Sequence, residues 1–281
     1  MTQGLTIGGH TRLLAVIGHP VRHTLSPAMH NASFAAEGLD FVYVALEVAP
    51  EDLPAATRGA AALGFRGFNA TIPHKRALVP LMDDLDEAAR VSGAVNTVVI
   101  DGEKLTGYNT DGSGLLEACG EGGVTVKGKS VLLLGAGGAA ASAAFAFGQE
   151  GAADLRIVNR TPERALRLSE ELRAVGTENV EVYPPDAIGE AAGGAEIVVN
   201  ATSLGMKDED RLPIPASYLD EGKTVCDAVY RAGQETALIR EARLRGARVV
   251  TGKRMLLYQG VLAQKLWTGH EPNVQAMEAA L

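Results

Sequence analysis

The chain has 281 residues, 46% hydrophobic and 21% charged, which excludes a disordered or fibrous protein. That length suits one large or two medium domains, each able to bury a core without staples. The formal net charge of −8 speaks against a nucleic-acid binder, whose affinity needs a basic footprint, but permits a local basic pocket for a small anion.

Strands are expected over 13–17, 41–46, 67–70, 95–100, 130–134, 155–158, 197–200, 224–227 and 247–250. Helices are expected over 27–37, 51–63, 74–82, 84–92, 114–120, 139–149, 162–175, 234–245 and 255–267. This alternation predicts an α/β protein with mostly parallel sheets covered on both faces. The turn-rich run Gly107-Tyr108-Asn109-Thr110-Asp111-Gly112-Ser113-Gly114 separates two such series. Two α/β domains flanking a cleft are therefore expected, the usual geometry of a two-substrate enzyme.

Glycine is abundant, at 33 copies without a fixed period, which implies tight turns and close backbone approaches. Cys119 and Cys226 are too few for a disulfide framework or a four-ligand zinc site, and their apolar neighbours predict buried thiols. His19, His23 and His30 share one stretch without a carboxylate or thiolate cluster, so no metal is expected. Met1-Thr2-Gln3-Gly4 lacks the basic and apolar character of a signal peptide. Residues 131–149 are uncharged, but Gly135, Gly137 and Gly138 break them into a strand, a turn and a helix. The expectation is a cytoplasmic protein with no membrane or nucleic-acid partner, monomeric or homodimeric.

Gly135-Ala136-Gly137-Gly138-Ala139-Ala140 follows an apolar strand and opens a helix, fitting G-x-G-x-x-G/A. Gly135 permits the tight turn, Gly137 lets backbone approach a pyrophosphate, and Ala140 allows close helix packing. The helix N-terminus offers N–H groups and a positive dipole end to the anion. The next strand ends in Asn159-Arg160-Thr161-Pro162-Glu163-Arg164 instead of the acidic residue that would bond a ribose 2′-hydroxyl. Arg160, Arg164 and the Thr161 hydroxyl suit a 2′-phosphate, which predicts NADP over NAD. Thr161 before Pro162 would also serve as an ordinary helix cap.

Hydride transfer to a ketone needs a proton donor at the carbonyl oxygen. Gly67-Phe68-Asn69-Ala70-Thr71-Ile72-Pro73-His74-Lys75 reads as a strand and a Pro-initiated helix, with Lys75 in its first turn. There the positive dipole end would lower the lysine pKa, as an acid–base role requires; a solvated surface lysine is the plainer reading. Ser26 before Pro27 reads equally as an N-cap, and Asn96, Thr97, Asn109, Thr110 and Asp111 fall at strand ends where such folds bind ligands.

Together these segments resemble shikimate dehydrogenases: Thr24-Leu25-Ser26-Pro27, Asn69-Ala70-Thr71-Ile72-Pro73-His74-Lys75, Gly93-Ala94-Val95-Asn96-Thr97, Asn109-Thr110-Asp111, the glycine turn, Asn159-Arg160-Thr161 and Asn200 to Met206. Seven motifs in order span residues 18 to about 264. The resemblance implies NADPH-dependent reduction of 3-dehydroshikimate to shikimate, in the route to chorismate and the aromatic amino acids. It implies a substrate domain over 1–110, completed by helices in 252–281, and a Rossmann NADP domain over 111–251. It also implies that Thr24 and Ser26 hold the substrate carboxylate, while Asn69, Thr71, Asn96 and Asp111 contact ring hydroxyls or neighbouring groups. Lys75 and Asp111 would form the acid–base pair. Tyr230 and Gln259 would lie on the substrate side, with Thr202 and Gly252 beside the cofactor.

Thr251-Gly252-Lys253-Arg254-Met255-Leu256 departs from the family's Asp-Gly-x-Gly-Met-Leu, bringing two charges near the expected nicotinamide end. The alternatives are a quinate/shikimate dehydrogenase using NAD, disfavoured by the missing acidic residue after Val158, and a non-catalytic NADP-binding regulator, disfavoured by Lys75 and Asp111.

Overall fold

The computed structural model describes residues 7–231 and 233–281; the reading of the first four residues lies outside that range. The chain divides into two compact units, residues 1–110 with 259–281, and residues 111–258.

The first unit contains β1 (Arg12–Gly18), α1 (Ser26–Glu37), β2 (Phe41–Glu47), α2 (Leu53–Ala62), β3 (Gly67–Ala70), β4 (Asp84–Leu85), α3 (Glu87–Ser92), β5 (Thr97–Asp101) and β6 (Lys104–Tyr108). Its sheet runs β2-β1-β3-β5-β6-β4. The β2-β1-β3 half is parallel, whereas β5 pairs antiparallel with both β3 and β6. Ala15, Ile17, Phe68, Ala70 and Val98 lie in one core cluster, and Leu14, Val16, Tyr43 and Trp267 in another. Such two-sided burial is why β1 reads as an uninterrupted apolar run. Gly67 lies beside the Trp267 indole, whose N–H donates to the Val98 carbonyl at 2.9 Å, leaving no room for a Cβ at that strand position.

The second unit contains α4 (Asp111–Glu121), β7 (Ser130–Leu134), α5 (Gly138–Gln149), β8 (Asp154–Val158), α6 (Pro162–Ala174), β9 (Val180–Tyr183), α7 (Ile188–Ala192), β10 (Ile197–Asn200), β11 (Thr224–Asp227), α8 (Ala237–Leu244) and β12 (Arg248–Val250). Its sheet is parallel throughout, in the order β12-β11-β10-β7-β8-β9. Helix α9 (Gly252–Thr268) belongs to the second unit through Tyr258 and to the first from Gln259, and α10 (Val274–Ala279) packs on α1. No helix among the described residues is long and apolar enough to cross a membrane.

One expected element is absent. Residues 74–82 form turns and a short 3-10 helix, Val79–Leu81, instead of an α-helix. The Lys75 carbonyl accepts the Val95 N–H at 2.8 Å instead of an intrahelical partner, and the Val79 N–H turns to Arg76 at 3.3 Å. Pro80 has no N–H to continue the ladder. The helix-end argument for Lys75 therefore loses its physical basis.

Candidate active site

The glycine turn of the second unit sits between β7 and α5. Gly135 has φ +117°, and a Cβ there would stand 2.9 Å from the Ala201 carbonyl oxygen, so only glycine fits. Ala136 is buried at the turn, Gly137 occupies the N-cap position of α5 with nothing within 4 Å of a built Cβ, and Ala140 is fully buried. No side chain caps the helix. The N–H groups of Gly138, Ala139 and Ala140 open the helix and have no intrahelical acceptor, an arrangement receptive to a phosphate.

At the end of β8, Asn159 donates to the Thr161 carbonyl at 2.8 Å and so fixes the turn before α6. Thr161 stands at the N-cap position but makes no side-chain cap bond, so the helix does not consume its hydroxyl. Arg160 and Arg164 are exposed, and neither forms an ion pair among the described residues. Two unpaired guanidinium groups and an available hydroxyl at a strand end are a donor set for a 2′-phosphate. The residues present thus fit NADP(H).

In the first unit, Thr24 prepares the start of α1. Its hydroxyl donates to Ser26 Oγ at 3.2 Å and accepts the Ser26 N–H at 3.3 Å. Ser26 is the first helical residue and makes no cap bond; Leu25 holds the N-cap position, so the N-cap reading of Ser26 is corrected. Asn69, on β3, accepts from the Tyr43 hydroxyl at 2.6 Å and donates to Thr97 Oγ1 at 2.9 Å and the Asn96 carbonyl at 3.1 Å. Asn96 Oδ1 accepts the Thr110 N–H and the Thr97 hydroxyl, each at 2.9 Å. Its Nδ2 donates to the Thr110 hydroxyl at 2.9 Å and reaches Gln259 Oε1 at 3.5 Å. Asn69, Asn96 and Gln259 are therefore joined in one buried network; Thr97 and Thr110 are strand-end residues to which the sequence assigns no site role, and Tyr43 is the member no sequence motif points to.

Thr71 follows β3 directly, its N–H donating to the Ile17 carbonyl at 2.9 Å. The half-buried Lys75 lies in the following turn, beside His74, whose Nε2 contacts the Val48 carbonyl at 2.9 Å. Burial lowers the His74 pKa. Asp111 is buried as the first residue of α4, immediately after Thr110 in the chain.

Thr202, after β10, bonds to Asn200 through its hydroxyl at 2.7 Å and its N–H at 3.1 Å. Tyr230 follows β11 and is half-buried. Gly252 begins α9 against the carbonyls of Val229 and Asp227, where a Cβ would overlap them. Of the two unusual charges, Arg254 forms an ion pair with Glu121, its Nε 3.0 Å from Oε2, and lies over the Tyr258 ring. Lys253 is exposed. Cys119 and Cys226 are buried free thiols with sulfurs 3.7 Å apart, and their mutual contact and burial push the Cys226 thiol upward. No group of three or more His, Cys, Asp or Glu among the described residues could hold a metal.

A parallel sheet carrying a phosphate-receptive glycine turn, in one chain with a second α/β unit, defines a dinucleotide-binding protein of two-domain type. The sequence matches a shikimate dehydrogenase substrate-binding domain over residues 16–98 and a shikimate/quinate 5-dehydrogenase model over residues 119–206. A shikimate 5′-dehydrogenase C-terminal domain matches residues 252–281. The NADP(+) shikimate dehydrogenase of Rubrobacter xylanophilus is 58% identical, covering 98% of this chain and 97% of that one. A shikimate dehydrogenase crystallised with NADP+ superposes with TM-score 0.91 at 39% identity, covering 99% of this chain and 97% of that chain. The Thermus thermophilus enzyme, crystallised with NADP(H) and shikimate, gives 0.86 at 40% identity, covering 96% and 98%. The chain belongs to the shikimate dehydrogenase family.

Proposed function

We propose that this protein catalyses the reversible NADPH-dependent reduction of 3-dehydroshikimate to shikimate, in the cytoplasm, as a step toward chorismate and the aromatic amino acids. The observation that carries the cofactor choice is the pair of unpaired guanidinium groups, Arg160 and Arg164, beside the uncapped Thr161 hydroxyl. Asn159 shapes their turn, while Gly135, Ala136, Gly137, Gly138 and Ala139 receive the pyrophosphate, and Thr202 and Gly252 border the nicotinamide end. NADPH, when bound, supplies the hydride.

The protein's own part is to hold the keto acid and deliver a proton. Thr24 and Ser26 take the carboxylate through two hydroxyls, and Asn69, Thr71, Asn96, Tyr230 and Gln259 orient the ring. The Lys75 ammonium donates its proton to the carbonyl oxygen as hydride reaches the carbon, and Asp111 orients both the lysine and the adjoining hydroxyl. In the oxidative direction Lys75 takes the proton back.

The test is absorbance at 340 nm with shikimate or quinate crossed against NADP+ or NAD+. Shikimate with NADP+ gives the highest kcat/KM on this proposal. An absorbance rise with quinate and NAD+ alone would overturn it.

A further inference from the structure

Strands β10 and β11 end side by side, with Asn200 paired to Asp227, and each runs into a loop that the proposed function uses. Thr202 lies in the first loop and Tyr230 in the second. Between them Asp227 is fully buried, and its carboxylate accepts three hydrogen bonds. Asn200 Nδ2 and the Val229 N–H donate to Oδ1 at 2.8 and 3.0 Å, and the Thr236 hydroxyl donates to Oδ2 at 2.5 Å.

The carboxylate also dictates which way the Asn200 amide faces. Nδ2 donates to Asp227 and to the Leu204 carbonyl at 3.0 Å, while Oδ1 accepts both bonds from Thr202. Turning the amide over would set its oxygen against the Asp227 carboxylate and its nitrogen against the Thr202 N–H. On the other side, Asp227 holds the N–H of the residue just before Tyr230. Gly252 abuts the Asp227 and Val229 carbonyls, so the start of α9 meets the same hub. At the rim, Arg231 and Asp208 join the two loops again at 2.6 Å.

A buried carboxylate bonded only to neutral donors is costly, and burial raises the Asp227 pKa. An apolar residue would fill this position more cheaply, but it could not accept from Asn200 at the end of β10 and from Val229 and Thr236 beyond β11. We infer that Asp227 is a positioning residue whose carboxylate holds the Thr202 loop and the Tyr230 loop as one body around the reacting end of the cofactor. The inference rests on the proposed function for the roles of those two residues.

The test compares NADPH binding, read by nicotinamide fluorescence, and shikimate kinetics in Asp227→Asn, Asp227→Ala and the core control Val198→Ala. Asp227→Asn keeps the volume but cannot accept at both terminal atoms. It raises the NADPH Kd and the shikimate KM together by about 3- to 10-fold, with kcat changed less, and Asp227→Ala raises them further. Val198→Ala lowers the melting temperature and leaves both constants unchanged. Wild-type constants in Asp227→Asn would overturn the inference, whether or not the alanine variant folds. So would equal changes in the Val198 control, since they would make the role one of stability alone. Should the wild-type chain bind NADPH without oxidising shikimate, the proposed function fails and the NADPH Kd series still decides the role of Asp227.

Discussion

The side chain of Asn96 clasps Thr110 at both of its polar groups, accepting its N–H and donating to its hydroxyl, each at 2.9 Å. Its neighbour Val95 donates its N–H to the Lys75 carbonyl at 2.8 Å. Two consecutive residues thus anchor the backbone of Lys75 and that of the residue preceding Asp111. The resemblance marks Asn96 as a substrate contact; the network makes it a buried scaffold residue as well.

Replacing Asn96 with Ala leaves the Thr110 N–H and hydroxyl, both buried, without those partners. Unmet buried polar groups cost about 1–3 kcal/mol each. The variant is expected to lose stability of that order in urea denaturation and to fall in kcat/KM for shikimate, while NADPH affinity stays near wild type. An unchanged denaturation midpoint would contradict the scaffold role.

Arg160→Ala separates the two cofactors. Charge-assisted hydrogen bonds contribute about 1.5–3 kcal/mol, so KM for NADP+ should rise about 10-fold or more. KM for NAD+, which has no 2′-phosphate, should stay within about 2-fold. Steady-state kinetics with both cofactors decide this, and equal effects on the two would remove Arg160 from the phosphate clamp.

His30 supplies a pH dependence of stability. It is fully buried on α1, with Nδ1 3.1 Å from Gln264 Oε1 and its ring stacked on Tyr43 at 4.4 Å. Desolvation, partly opposed by the Gln264 bond, lowers its pKa from 6.5 to about 4. Between those values the unfolded chain binds the proton and the folded chain does not, so stability falls as pH drops from about 6.5 toward 4. The loss saturates at about 3 kcal/mol below that range. Urea midpoints measured at pH 7 and pH 5 should show the decline, and a His30→Phe variant should show a shallower one.

The parallel strands β7 and β10 were legible because burial on both faces makes them mainly apolar runs, 130–134 and 197–200; the expected bounds 67–70 and 224–227 also coincide with β3 and β11. Strand β6, Lys-Leu-Thr-Gly-Tyr, carries a charge and a glycine and takes its place by antiparallel pairing with β5, which no local pattern announces. Residues 74–82 failed as a helix because a long-range bond to Val95 captured the Lys75 carbonyl and Pro80 could not carry the ladder on. The glycine turn was readable because its φ and its close approach to Ala201 both demand glycine. Asp227 was not, since its donors Asn200, Val229 and Thr236 are brought together only by strand order.

The central claim is that the Lys75 ammonium moves the proton during hydride transfer, and Lys75→Ala tests it most directly. Measured with saturating shikimate and NADP+, kcat should fall by about 10²–10⁴-fold, the usual contribution of a general acid–base group. The shikimate Kd, measured calorimetrically, should change little. Turnover retained within a few-fold of wild type would contradict the claim.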